Sequence, residues 1–447
     1  MSDLTRMSEP STRYKRYLLV VLMFALAFNF VDRLALGVVL QNIKIDLRLS
    51  DTQLGFMSGI AFALFYSVMG IPIARWADRG NRVTIISLSA ALWSLMVAAC
   101  GLATNFVQLL LIRVGVGIGE AGCVPPAFSL ISDYFRREER PMASAIFTMG
   151  APLSFLVGYF PAGWLNEAYG WQMTFMVLAL PGLVLATLVW LTLREPRALG
   201  PKQRESGAAS TSQPSFREVC SVLWKTRSFR HLLLAYAALF FFANGILQWQ
   251  PTFFVRSHGL ATGELGTWFA LIYGVGGLLG THWGGTLASR YATRNERLQL
   301  KATALVYVVL GVISAAIYIT PGYPLAFAEL SAFTFGMYST TAPLWATIQT
   351  IVPERMRATA VALIYLSANL IGTGLGPLVI GMLSDALAPW AGRESLRYAL
   401  LAVSPGFLWG AWHLFRSGRT VIQDIEAVQR AEPAGVLKYQ SRLPTSG

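Results

Sequence analysis

The chain has 447 residues, 54% of them hydrophobic and only 13% charged, a balance that a water-facing surface could not carry. Its net charge of +13 would fit a nucleic-acid partner only if a basic folded domain remained outside the apolar stretches, and none does. These figures exclude a soluble globular protein and point to a chain embedded in a bilayer.

Apolar runs of roughly 20 residues, each long enough to cross hydrocarbon, recur along nearly the whole length. They fall near 17–41, 52–76, 83–104, 106–134, 142–166 and 171–193, then near 230–256, 263–290, 297–319, 322–351, 357–387 and 395–416. The first is longer than a signal-peptide core and lacks a small-residue cleavage site, so it reads as a retained span. Between the two sets of six, Pro196, Gly200, Pro201 and Gly207 break the pattern in a stretch rich in Ser, Ala, Lys and Arg. The expected fold is all-α, a polytopic membrane protein of twelve transmembrane helices. It divides into an N-terminal six-helix bundle (1–193), a cytoplasmic linker (194–229), a C-terminal six-helix bundle (230–416) and a cytoplasmic tail (417–447). Within the linker, Phe216 to Arg227 has the pattern of a short amphipathic helix on the membrane surface.

Charge sets the orientation. Lys15, Arg16, Arg79, Arg82, Arg136, Arg137, Arg140, Arg294, Arg297 and most other basic residues gather on one side of the spans, against Lys44, Arg48, Arg256, Arg393 and Arg397 on the other. By the positive-inside rule both termini are cytoplasmic and the protein is integral to its membrane. Cys100, Cys123 and Cys220 sit in or beside apolar helices without metal or disulfide spacing, as packing residues would. No metal site and no cofactor are expected.

The two halves carry related text. REERPMASA at 137–145 and VPERMRATA at 352–360 align Glu139, Arg140, Ala143 and Ala145 with Glu354, Arg355, Ala358 and Ala360. Each block follows the fourth span of its half, where a duplicated six-helix bundle would put it.

Ionisable residues inside spans are costly unless they face partners or water, so the few present are informative. Asp32 and Arg33 interrupt the first span, Arg113 and Glu120 the fourth, and Glu329 the tenth. The first and fourth spans run in opposite directions, which brings Asp32, Arg33 and Arg113 to similar depth, where they can meet. Glu120 lies two turns further on the Arg113 face, roughly 10 Å closer to the bilayer centre. A buried salt-bridge set joining the two helices is one reading. The other is proton coupling through Asp32 and Glu120, because a carboxylate that exchanges an arginine for water changes its proton affinity. Glu329 lacks an obvious charged partner in the second half and fits either a cavity or the outer rim.

The loop after the second span reads ARWADRGNR (74–82) and resembles the signature loop of the major facilitator superfamily, with Ala74 and Asn81 in place of its glycines and Val83 in place of its last basic residue. Its counterpart, GTLASRYATR (285–294), has Ser289 where the acid should be. The resemblance implies a charged cytoplasmic latch made from Asp78, Arg79, Arg82, Arg140 and Arg355, with an Asp at a helix end able to pair with Arg when that side is closed.

The combination of Asn29-Phe-Val-Asp32-Arg33, Arg113 followed by Gly115, Gly117, Gly119, Glu120 and Gly122, and Asp133-Tyr-Phe-Arg-Arg-Glu-Glu-Arg140 is similar to the spinster family of that superfamily, whose animal members carry sphingosine-1-phosphate and lysophospholipids. A bacterial-type homologue in an inner membrane is the implied identity. The implied activity is secondary active transport by alternating access, with a small amphiphilic or anionic substrate, the proton as coupling ion and a monomeric carrier. Asp32 and Glu120 would be the proton-responsive acids and Arg33 and Arg113 their partners. Asn29, Asn244, Gln248, Phe254, Glu329, Tyr338, Tyr365 and Asn369 are the candidate cavity residues, the amides because polar groups in such apolar helices line cavities more often than they face lipid. A carrier of a small organic anion or sugar, and a lipid-sensing receptor, remain as alternatives. A membrane enzyme finds no support, since His231, His258, His282 and His413 are scattered and no nucleophile motif appears.

Overall fold

A computed structural model describes residues 11–196, 216–291, 295–352 and 356–431. Within them the chain is helical throughout, as a membrane demands when no water is at hand to satisfy backbone N–H and C=O groups. Eight stretches are long and apolar enough to cross a membrane by length and composition, and two of these, Arg140–Thr192 and Thr359–Ala427, are each long enough for two crossings. Together with the helical stretches 262–291 and 323–351, twelve spans result.

Polar residues punctuate the helices where the sequence changes character. Ser11 caps the first span (Thr12–Leu47), accepting from the Tyr14 N–H. The second span (Asp51–Arg79) opens on a capping box of Ser50 and Gln53. Asn81 and Asn105 cap the third (Arg82–Cys100) and fourth (Phe106–Tyr134). Fifth and sixth spans meet at Gly170, whose φ of 80° and ψ of 170° break the helix in a conformation that glycine adopts without strain. A π-helical segment interrupts the second span at Met57–Ala61 and another the eighth at Ala270–Val275, the same helix in each half. A third lies in the eleventh span at Ala368–Leu375.

The chain forms two compact units. The first comprises Met1–Glu205, Ile246–Val275 and Pro377–Leu396, so the first six spans share it with portions of the seventh, eighth and eleventh. There the first span packs chiefly against Gly150–Thr192, and the third against both that stretch and the fourth. Gly119 makes the latter contact possible, because a Cβ at that position would lie 2.7 Å from the Trp93 backbone nitrogen. The second unit comprises Ser206–Gly245, Gly276–Gly376 and Arg397–Gly447. In it the ninth span (Glu296–Ile319) packs against the twelfth and the tenth.

Two expectations about the cytoplasmic segments are sharpened. The amphipathic linker segment is a helix, Phe216–Lys225. The tail expected from 417 begins as helix instead: the last element runs unbroken from Gly406 to Ala431, with Ser417 and Val421 fully buried. The side chain of Cys220 and the loop carrying Arg355 lie outside the described residues. Cys100 and Cys123 are buried and unpaired as cysteines.

Candidate functional site

The first and fourth spans bring four charged side chains together in the interior of the first unit. Arg113 Nη1 donates to Asp32 Oδ2 at 2.5 Å, and Arg33 donates to Glu120 Oε2 from Nε at 2.8 Å and from Nη2. Glu120 and Arg113 are almost wholly inaccessible, and Asp32 is 3% exposed. The two carboxyl groups also lie within each other's reach. Asn29, one turn before Arg33, is fully buried and donates from Nδ2 to the Glu120 carbonyl at 3.2 Å. Aromatic faces complete the lining: the Arg33 guanidinium stands 4.3 Å from the Phe62 ring centre, 4.9 Å from Phe30 and 5.0 Å from Tyr66.

This network is only half satisfied. Asp32 Oδ1, Glu120 Oε1, Arg113 Nε and Asn29 Oδ1 are buried without a hydrogen-bond partner among the described residues. Two acids balance two bases, yet each member of the Asp32–Arg113 pair and the acid of the other keep unspent capacity, an arrangement suited to accepting a proton or a polar ligand.

Sequence patterns did not reveal a second cluster, at the end of the helices that the charge distribution assigns to the outside. Asp51, 1% exposed, accepts from Arg256 Nη1 and Nη2 at 2.7 and 2.6 Å, from Lys44 Nζ at 2.7 Å and from Ser384 Oγ at 2.7 Å. The backbone N–H groups of Asp51 and Thr52, at the start of the second span, donate to Asp385 at 3.0 and 2.7 Å. Arg256 Nε reaches Gln41 Oε1 at 2.5 Å. First-half residues 41–52 are thereby tied to the seventh and eleventh spans. A signal was available, since an arginine on the outer side runs against the positive-inside rule and needs a partner to stay buried.

The cytoplasmic candidates separate. Asp78 and Arg79 are exposed at the end of the second span. Arg82, expected with them in a latch, is instead fully buried inside the first half. It pairs with Asp133 at 2.7 Å and with Glu195, and donates from Nη1 to Ser129 O and Oγ at 3.0 and 2.9 Å. Glu195, which lies in no motif of the sequence, is the partner that pattern reading missed. Arg140 is exposed and donates to the Phe135 and Ser132 carbonyls at 3.2 and 2.8 Å, closing the end of the fourth span.

The candidate cavity residues sit in different surroundings. Phe254 is fully buried in an aromatic cluster with Phe253, Phe269 and His258, because its helix face meets other rings there. The Glu329 carboxylate accepts from Thr320 Oγ1 at 3.0 Å, at the end of the ninth span. Asn244 and Asn369 spend their amides on Phe240 and Tyr365 carbonyls of their own helices. Gln248 Nε2 is buried without a partner and lies close to Gly37. Tyr338 packs its ring against Gly277 and Gly280. Tyr365, 49% exposed, stacks on Trp345 at 4.9 Å, and Trp345 meets Tyr236 at 5.4 Å, a wall of rings in the second unit.

Buried ion pairs and amides running through a bundle of apolar spans define a polytopic membrane transporter, a protein that keeps costly charge in its interior for use. The model of the Major Facilitator Superfamily matches residues 22–377. An MFS-type efflux pump of Mycolicibacterium smegmatis is 34% identical over 83% of this chain and 85% of its own. The sphingosine-1-phosphate transporter SPNS2 of Danio rerio is 26% identical over 85% of this chain and 79% of its own. A crystal structure of a bacterial homologue of the human lysosomal transporter Spinster, inward-facing and unoccupied, superposes with a TM-score of 0.81 at 31% identity, covering 93% of this chain and 99% of that one. The chain belongs to the major facilitator superfamily, within its spinster branch, and is an integral membrane transporter of a family that is not enzymatic.

Proposed function

We propose that this protein is a proton-coupled secondary transporter that works by alternating access and moves a single-chain amphiphile of the lysolipid or sphingoid-phosphate class. The observation that carries the reading is Glu120: fully buried, held by Arg33 through one oxygen, with the other oxygen unpartnered and Asp32 within reach. A proton on either acid removes the counter-charge of one arginine. That arginine is then available to an anionic head group.

The name of the zebrafish relative supports the substrate class, and the xylose-proton symporter, whose structure has the same fold, supports the proton as a workable coupling ion for this architecture. Alternation is supported by the Asp51 cluster, which ties both halves of the chain together at one end and would have to release them in the other state. In this reading the protein is a monomer in a bacterial inner membrane with both termini cytoplasmic, and the exposed Asp78 and Arg79, with Arg140 and Arg355, act at the cytoplasmic closure.

The test is uptake into proteoliposomes under an imposed pH gradient, with a lysophospholipid and a sphingoid phosphate compared with a hexuronate and a sugar. Gradient-dependent movement of the amphiphiles alone is expected. Movement of the sugar or hexuronate in their place would overturn the substrate class, and transport indifferent to the gradient would overturn the coupling.

A further inference from the structure

Beside Asp32 the first, third and sixth spans border a small cavity of about 10 Å³. Its lining is apolar (Phe28, Val97 and Ala179 among others) except for Asp32, Ser94 and the indole of Trp93. Asp32 Oδ2 is taken by Arg113, but Oδ1 is buried without a partner. Ser94 Oγ is likewise buried without a partner, and the residue is 1% exposed. Gly182 makes room for that hydroxyl, since a Cβ there would lie 2.1 Å from it and 3.6 Å from Trp93 Nε1. Asp32 and Ser94, on different helices and each with one unpartnered side-chain oxygen, thus line one hole.

The hole is of the size that holds one water molecule, which needs roughly 10–15 Å³ and two to four polar partners. An organic substrate does not fit. A metal cation is disfavoured too, because one carboxylate oxygen and one hydroxyl fall far short of the roughly six oxygens a hard cation takes.

We propose that Asp32 and Ser94 form a built water site, in which one internal water bridges Asp32 Oδ1 and Ser94 Oγ, and that Ser94 is a positioning residue for the proton on Asp32. This rests on the reading of Asp32 as a proton-responsive acid. A fixed donor would favour one charge state of the acid, whereas water serves both. It donates to Oδ1 when Asp32 is ionised, and accepts the Oδ1–H proton when Asp32 is protonated, turning a hydrogen toward Ser94 Oγ. The proton therefore has a place on the oxygen that Arg113 leaves free, on a face of the first span lined by the third and sixth. The charged and titratable groups around Asp32 are Arg33 beside it, Arg113 and Glu120 on the fourth span and Cys100 on the third, while the sixth contributes only Leu178, Ala179 and Gly182.

The test is infrared difference spectroscopy of the full-length protein in liposomes during a pH titration, in water and in oxygen-18 water. The wild type is expected to show a water O–H band that shifts with the isotope and vanishes in Asp32→Asn. Ser94→Ala should lose that band and displace the midpoint of the Asp32 carboxyl band by on the order of one pH unit. Ser94→Cys, which fills the same space with a weak donor, should retain a weakened band and serves if the alanine variant is unstable. Absence of the band in wild type, or an unchanged band and midpoint in both Ser94 variants, overturns the water site. The coupling reading fails separately: Asp32→Asn with its full response to a pH gradient would sink that reading and leave the water site standing.

Discussion

The two buried clusters in the first unit treat charge in opposite ways. At the outer end, Asp51 spends both oxygens on Arg256, Lys44 and Ser384, and even the helix N-terminus beside it is closed by Asp385. Midway along the helices, Asp32, Glu120, Arg113 and Asn29 each retain an atom without a partner. A fully satisfied network fixes one geometry and resists change; a half-satisfied one is poised to take up something new. In the proposed mechanism the Asp51 cluster holds a state and the Asp32–Glu120 cluster senses the proton.

Breaking the outer cluster should have the largest effect. Asp51→Asn leaves Arg256 and Lys44 uncompensated, and removing one partner of a buried pair costs about 3–5 kcal/mol. Spin labels at Ile45 and Arg393 should move apart as the outer end loosens, with a lower melting temperature; an unchanged distance distribution would mean that Asp51 does not hold that end closed.

The inner cluster should respond differently, by losing pH dependence more than binding. Glu120→Gln and Asp32→Asn are each expected to cut the stimulation by a proton gradient on the order of tenfold, while substrate affinity changes far less. A double variant that folds and keeps the full response would reduce the cluster to a structural ion-pair set.

A smaller shift is expected at the cytoplasmic end, where Asp78→Asn should favour opening by about 1–3 kcal/mol, enough to invert a balanced equilibrium. Distances measured across the cytoplasmic helix ends provide the check, and no change would remove Asp78 from the latch.

The smallest effect belongs to Glu139, which lies outside the spans and is exposed. The Arg136 N–H that donates to its carboxylate at 3.0 Å, and then Lys15 at 3.5 Å, hold its pKa below the ordinary 4.5. A depressed carboxylate stabilises the fold above its unfolded pKa, and that contribution disappears as pH falls through the folded value. Thermal stability should therefore decline slightly more in wild type than in Glu139→Gln between about pH 5 and pH 3. Parallel curves would show that the contact contributes nothing.

Much of the fold was legible because lipid imposes length and polarity on every span, and the expected runs coincide with the helices. The meeting of Asp32 with Arg113 followed from depth along two opposed helices. The Asp51–Arg256 contact did not, because its partners lie far apart in sequence and each reads locally as a loop charge. The surroundings of Phe254 were not legible for a different reason: ring spacing on a helix is the same whether the rings face a cavity or each other. Arg82 looked like part of a latch because its motif is read as a unit, whereas Glu195 at the end of the sixth span draws it inward.

The π-helical segment Met57–Ala61 sits in the one helix that carries Asp51 at its outer end and Asp78 at its cytoplasmic end. A π turn holds one residue more than an α turn, and each residue of an α-helix advances the side chains by about 100°. The segment is therefore a phase setting between the two acids. Deleting a single residue there would return the segment to an ordinary α turn and leave Asp78 facing as before relative to Asp51, whereas the same deletion in a regular α-helical turn of the span would turn Asp78 by about 100° and leave one end facing the wrong neighbour.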